Sequence, residues 1–257
     1  MSIEAGKYIS FSFDDGRKDT YSVAYPILRR YGFTCTVNVI TDFVENPSAY
    51  SRYGLKEAMS IKDVVDMQND GNEIACHGHT HTNSYSDVCD CINILKSWGV
   101  AVDKVGFASP FSKIVPDALC DMQRILDENK VSYIRTGIQV RREGFFYSAL
   151  VYLCEKTGFK NLFARLNRRA VYSYPVKSKV MLGISITSNT TVDQVIKLID
   201  SAPVSSSMVL IFHSILNQSD CYDRWCWSAD NFDLLCSFLA NRSDCKVVNT
   251  NELIGER

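Results

Sequence analysis

"NEIACHGHTH", Asn72 to His81, is the stretch on which the reading of this chain turns. An apolar run, Ile74 to Cys76, leads directly into three histidines within five residues, His77, His79 and His81. The whole chain has four histidines, the other being His213. Imidazole is the commonest metal ligand and the usual proton carrier near neutral pH, so the pile-up reads as a strand ending in chemistry-bearing groups. A solvated His-rich loop is the plain alternative.

Upstream, "KYISFSFDD" (Lys7 to Asp15) reads as a strand ending in two acids, and "TYSVAYPILRRYG" as a helix stopped by Gly32. "TCTVNVIT" is a β-branched strand, and "SIKDVVDMQNDG" a capped helix that begins near Ser60 and closes at Gly71. Downstream, the strands "KVGFASP", "VSYIRTGI", "KVMLGISIT" and "SSMVLIFH" alternate with the helices "SDVCDCINILKSWG", "PDALCDMQRILDEN" and "TVDQVIKLIDSA". The helix "DNFDLLCSFLANRS" and the short strand "KVVNT" finish the chain. About seven β/α units predict an α/β protein, a distorted, incomplete (β/α)7-type barrel rather than a doubly wound sheet. Residues 141–178 fit the alternation poorly and read as a basic and aromatic insertion in one catalytic domain spanning 1–257.

A chain of 257 residues can bury a large core without disulfide staples. Its net charge of −1 exerts no global pull on nucleic acid. "MSIEAGKYISFSFDDG" has no apolar signal-peptide core, and no run is long enough to span a bilayer. The ten cysteines match no paired zinc-knuckle spacing, Cys221 and Cys226 included, and read as mostly reduced thiols of a cytoplasmic protein.

In parallel β/α folds the strand carboxyl ends assemble the active site. Asp14 and Asp15, the histidine cluster and His213 all fall at predicted strand ends. His77 and His81 are four residues apart, a spacing that brings two imidazoles to one metal from a helix or a tight turn. The zinc-protease version of that spacing carries a Glu as base where this chain has Gly78, so the protease reading loses its base. Two imidazoles and one carboxylate make an open catalytic metal site. Asp15 or Asp14 can supply the carboxylate, leaving the other as a base.

These residues resemble the polysaccharide deacetylase (NodB-homology) family, carbohydrate esterase family 4. "SFSFDDG" (Ser10 to Gly16) looks like its first motif and "NEIACHGHTH" like its second. "VGFASPF" sits at the third and "VLIFH" at the last, and the resemblance covers residues 7–138 and 179–254. It implies the NodB-homology barrel fold and one divalent metal ion, zinc first, on Asp15, His77 and His81. Asp14 would be the general base and His213 the general acid, with backbone N–H groups near Phe111 at the oxyanion. Pro110 and Phe111 would border the substrate, and the run Val209 to Phe212, with Ile211 at its centre, would wall the acyl methyl. His79, between two ligands, is expected to point elsewhere, to a supporting or substrate contact. Two departures stand out. Ala108 replaces an Arg that in many members holds the catalytic Asp, and Ser112 replaces a Gly; Arg135 is the substitute orienting residue.

The expected activity is that of a metal-dependent carbohydrate N-deacetylase acting on an N-acetylated sugar, in an intracellular glycan precursor. A related C–N or O-acyl hydrolase (a deformylase or a cyclic-amide hydrolase) and a catalytically silent carbohydrate-binding relative are the alternatives. In "RREGFFYSALVYLCEKTGFKNLFARLNRRAVYSYP", seven Lys or Arg stand against two Glu. Such a segment packs on the domain as ordinary helices or makes weak peripheral contact with an anionic membrane through 141–169. Nucleic acid is not an expected partner, and the oligomeric state is left open.

Overall fold

The computed structural model describes residues 5–114, 116–138 and 144–255. Its strands are β1 (Lys7–Phe13), β2 (Thr36–Val39), β3 (Glu73–Cys76), β4 (Phe107–Ala108), β5 (Ile134–Gly137), β6 (Tyr172–Ser173), β7 (Val180–Ser185), β8 (Ser206–Phe212), β9 (Ser214–Leu216), β10 (Cys226–Ser228) and β11 (Cys245–Val247). Its helices are α1 (Tyr25–Arg30), α2 (Thr41–Glu45), α3 (Ile61–Asn69), α4 (Tyr85–Ser97), α5 (Leu119–Asp127), α6 (Phe145–Thr157), α7 (Lys160–Asn167), α8 (Val192–Ser201) and α9 (Ala229–Ala240).

Strands β1, β2, β3, β4, β5, β7 and β8 pair in that order, all parallel, and β8 pairs back onto β1 along the whole of Lys7–Phe13. The result is a closed barrel of seven parallel strands, the architecture expected from the alternation. Its distortion has two visible sources. β4 contributes two residues, and β2 reaches β1 at Ser12 and Phe13 while β11 occupies the same edge lower down, at Lys7 to Ile9.

Side chains of β1 alternate as strand geometry requires. Ile9, Phe11 and Phe13 face outward into the main core with Leu28 of α1 and Phe232 and Leu235 of α9. The inward residues are smaller and more polar. Tyr8 closes the floor of the barrel with Tyr133, Met181, Val209 and Leu253. Above it, Ser10 shares a hydrogen bond with Thr250, and Ser12 accepts one from Asn38 Nδ2. The helix predicted from Ser60 runs over Ile61–Asn69, with Ser60 and Asp63 forming a reciprocal capping box.

Between β5 and β6 lie α6 and α7, with α7 packed on α8. This is most of the stretch that broke the alternation; residues 141–143, with which the expected insertion begins, lie outside the described residues. Gln194 of α8 donates to the Cys154 carbonyl at 3.2 Å, and Arg224 pairs with Glu155 at 2.8 Å, tying α6 down. Cys221 and Cys226 form a disulfide, which corrects their reading as reduced thiols; the other eight cysteines are free. No described helix is long and apolar enough to cross a membrane.

Glu73 is a carboxylate buried in this interior layer. It accepts from Thr36 Oγ1 at 2.7 Å, Tyr133 Oη at 3.0 Å and the Asn251 N–H at 3.0 Å. Burial pushes its carboxyl from 4.5 up to about 7 despite these donors. A group whose folded pKa lies above its unfolded value stabilises fully below the unfolded pKa, and loses that contribution as pH rises through the folded one. Stability measured by urea unfolding should therefore fall by roughly 3 kcal/mol between pH 4.5 and pH 8 on account of this group. Glu73→Gln should flatten that slope, and an identical pH profile in the variant would show that Glu73 is not its source.

Candidate active site

Each candidate residue leaves the carboxyl end of a barrel strand. The β1–β8 ladder continues one step, with Asp14 N–H donating to the Phe212 carbonyl at 2.9 Å, and then the chain turns sharply. Asp15 (φ 76°) and Gly16 (φ 78°) are both left-handed. His77 N–H donates to the Val39 carbonyl at 2.9 Å, extending β3, while His213 follows β8 directly. Among the described non-glycine residues six have positive φ, and four of them, Asp15, His81, Phe111 and Ser112, lie at this rim. Backbone held in such regions costs energy and collects where function needs it.

His77 and His81 are brought together by a turn rather than a helix. Asp87, in the first turn of α4, receives the Thr80 N–H and hydroxyl on one carboxylate oxygen and the Thr82 N–H on the other. Gly78 lets this happen: it sits at φ 83°, and a Cβ there would lie 2.5 Å from Asp87 Oδ2. The imidazoles of His77 and His81 end up 4.9 Å apart. His77 Nδ1 lies 2.7 Å from the Ala108 carbonyl, an acceptor that fixes the proton on Nδ1 and leaves Nε2 as a lone pair. That Nε2 faces Asp15 Oδ1 at 3.5 Å.

Donor atoms of Asp15, His77 and His81 all lie within 4.8 Å of one another. Two donors on one tetrahedral zinc ion would sit roughly 3.4 Å apart, given metal–ligand bonds of about 2.1 Å. The oxygen and two nitrogens thus fit a divalent ion. Burial alone would raise the Asp15 carboxyl, but Arg17 and the rings of His77 and His213 hold it well below the usual carboxylate range. Arg17 makes contacts of 2.8 Å to Asp15 Oδ2 from both Nε and Nη2, leaving Oδ1 toward the imidazoles. Burial and the neighbouring His77 push His81 down to about 4, so its ring is neutral at pH 7, as a ligand must be.

Asp14 belongs to a different network. Its Oδ1 accepts from Arg135 Nη2 and, at 2.9 Å, from Asn38 Nδ2. Its Oδ2 faces His213 Nε2 at 3.8 Å. Arg135 is 1 % exposed and reaches Asp14 from β5, on the far side of the β4 position where Ala108 stands. Burial lowers the His213 pKa, and the two nearby carboxylates work against that. The Trp225 ring lies 4.9 Å from the His213 ring, tilted by 40°, presented by the loop that the disulfide closes.

The remaining candidates divide. His79 is turned away from the cluster, with Nδ1 2.9 Å from Thr41 Oγ1. Phe111 is 57 % exposed and lies over the His81 ring at 4.6 Å, while Pro110 is buried beneath it. The expected apolar wall of Val209 to Phe212 narrows to one residue. Leu210 and Phe212 point outward into the main core, and Val209 belongs to the barrel floor. The strand period of two forces that split. Ile211 stays inside, where a Cβ on Gly183 would meet its Cδ1 at 2.6 Å and the Arg135 Cδ at 3.2 Å. Arg17, Asn38, Asp87 and Trp225 were not singled out in the sequence. A lone Asn in the β-branched run "TCTVNVIT" was the signal for Asn38, and Arg17 directly follows the acidic motif; Trp225 had none.

The fold and this cluster together define a seven-stranded parallel barrel with an Asp–His–His group and a second acid–histidine pair at its strand ends. Residues 3–118 match the family model of polysaccharide deacetylase, so the resemblance read in the motifs is borne out over that part of the chain. No curated protein matches the chain. Solved structures carry the fold further. The Xyl-CE4 domain of a multidomain xylanase from the hindgut metagenome of Trinervitermes trinervoides is 17% identical, with 96% of this chain and 89% of that one covered at a TM-score of 0.53. A family 4 acetyl xylan esterase from Clostridium thermocellum, in complex with a cobalt ion, is 14% identical over 96% and 89% of the two chains at 0.52. Peptidoglycan deacetylase PdaC from Bacillus subtilis is 16% identical over 96% and 90% at 0.50.

The Arg135–Asp14 pair is fully buried, so removing one partner strands a charge, at a cost of about 3–5 kcal/mol. Arg135→Met should lower unfolding free energy by that amount, and the double variant Arg135→Met, Asp14→Asn should recover most of it. Additive losses in denaturant titrations would mean that the two side chains are not coupled.

Proposed function

We propose that this chain is a metal-dependent hydrolase that removes the acetyl group from an N-acetylated sugar, within an intracellular glycan precursor. One observation carries the reading: two adjacent acids have separate surroundings, Asp15 facing two imidazoles and Asp14 facing His213. A divalent ion, zinc first, would be held by Asp15, His77 and His81. When bound, it supplies a Lewis acid for the amide carbonyl and makes the attacking water more acidic.

The chain's own residues do the rest. Asp14, with Oδ1 tied to Arg135 and Asn38, takes the water proton on Oδ2 as general base. His213 delivers a proton to the departing amine as general acid, without which the tetrahedral intermediate reverts. Backbone N–H groups at the Phe111 turn stabilise the oxyanion. Phe111 and Trp225 flank the sugar, Ile211 bounds the acyl methyl, and His79 braces the ligand turn through Thr41. Arg135 does from β5 what the third-motif Arg does in many relatives, which favours activity over a silent carbohydrate-binding role. We place the reaction in the cytoplasm, where eight free thiols fit a reducing compartment; the Cys221–Cys226 bridge favours an oxidising one, and thiol titration of protein from intact cells decides.

Purified protein should carry about one divalent ion per chain by elemental analysis, and His77→Ala with His81→Ala should abolish it. Full metal retention in that double variant overturns the ligand set. Asp14→Asn should keep the metal while acetate release from N-acetylglucosamine oligomers or from nucleotide- or lipid-linked N-acetyl sugars falls about 100-fold to 10,000-fold. Near-normal turnover would remove Asp14 from the role of base.

A further inference from the structure

Helix α6 is amphipathic in the wrong direction for a helix that only covers a core. Its inward face carries Tyr147, Val151, Cys154 and Glu155, held by α8 and Arg224. Its outward face carries Phe145, Phe146, Leu150, Tyr152 and Leu153, with the two phenylalanines 81 % and 83 % exposed. Phe159, just past the helix, is exposed as well. Six of the thirteen exposed large apolar side chains among the described residues thus fall within fifteen consecutive positions. Scattered exposed apolar residues are ordinary, whereas a contiguous stripe marks an interaction surface.

What flanks the stripe indicates its partner. Lys156, Lys160, Arg165, Arg168 and Arg169 are all exposed along α6, α7 and the turn after them, against the single acid Glu155, which Arg224 already pairs. A groove of about 670 Å³ between the helices has a floor of Leu150, Leu162 and Leu166, with Arg165, Arg168 and Arg169 at its edge. A second copy of this chain would bring the same positive collar against this one. An apolar stripe inside a basic collar instead complements a surface with anionic headgroups above a hydrocarbon layer.

We propose that α6 and α7 form a docking surface for an anionic lipid bilayer. The inner face of the same helix pair walls a cavity of about 130 Å³ lined by Val151, Phe163, Thr187 and Trp225, and the Trp225 ring lies 4.9 Å from that of His213. Docking through the outer face therefore holds this cavity about one helix thickness from the lipid surface. Resting on the proposed deacetylase activity, this narrows the substrate class to N-acetylated sugars borne on a lipid.

The test is flotation of the full chain with vesicles of about 30% phosphatidylglycerol in phosphatidylcholine at low salt, which needs no substrate and so stands apart from the activity reading. The protein should rise with these vesicles and stay behind with phosphatidylcholine alone. Each basic side chain near an anionic surface contributes about fivefold in affinity, so Arg165→Gln with Arg168→Gln should weaken binding about 25-fold, and 0.5 M salt should release the protein. Phe145→Ser with Phe146→Ser should abolish flotation with an unchanged melting temperature, as expected for such exposed positions. Failure of the unaltered chain to rise, equal binding to neutral vesicles, or undiminished binding of either double variant overturns the proposal. So does a dimer in sedimentation that Phe145→Ser with Phe146→Ser dissociates, which would make the stripe a self-interface.

Discussion

The buried pair of Arg135 and Asp14 is the constraint around which the rest of this site is arranged. Two adjacent carboxylates buried in a barrel interior repel one another unless each is paired with its own cation. Here each has one, from opposite directions. Arg135 crosses from β5 to Asp14, and Arg17 folds back from the loop after β1 onto Asp15. That division frees one oxygen of each acid, Oδ2 of Asp14 toward His213 and Oδ1 of Asp15 toward His77. The guanidinium in turn needs room, and β7 provides it with Gly183, where a Cβ would crowd both Arg135 and Ile211. A glycine on one strand, an arginine on a second and an aspartate on a third are thus one device.

The backbone of the rim has a similar logic. Left-handed conformations at Asp15 and His81 carry a steric cost for any residue with a Cβ. Compensation comes from hydrogen bonds that leave little alternative. Asp87 satisfies three donors of the turn between His77 and Ser84, and the Ile40 N–H donates to the Asp15 carbonyl. The turn after β3 also meets the segment after β2, because the Asp42 N–H donates to the His79 carbonyl while Thr41 holds the His79 ring. The middle histidine of the cluster therefore joins the loop after β3 to that after β2.

Much of the architecture was legible in the sequence because it is written in local periodicity. The apolar runs, the Ser60 cap and the glycines after helices fix strands and helices one at a time, and parallel β/α order follows from their alternation. Asp14, Asp15, His77, His81 and His213 were also readable, since polar groups at the ends of apolar strands have few structural reasons to be there. What stayed hidden depends on pairing between distant segments. The β11 strand wedges against β1 beside β2, and Thr250 and Asn251 reach into the barrel to Ser10 and Glu73. Neither leaves a local signature. Reading Val209 to Phe212 as one wall failed for a simpler reason: alternate side chains of a strand cannot share a face.

The polar barrel interior explains why Arg135 can reach Asp14 at all. An apolar core would have made a buried guanidinium prohibitive, since desolvation outweighs a single ion pair. Ser10 and Ser12 of β1 and Thr36 and Asn38 of β2, all inward, keep these side chains small and supply dipoles. Asn38 shows the effect most directly: the two N–H groups of its amide are shared among Ser12 Oγ, the Phe13 carbonyl and Asp14 Oδ1, fastening β2 to β1 just where β11 no longer can. Replacing that amide with an apolar group of similar volume would loosen a strand junction and the acid in one step. Structural and chemical roles therefore coincide at Asn38, a buried polar residue inside an otherwise β-branched strand.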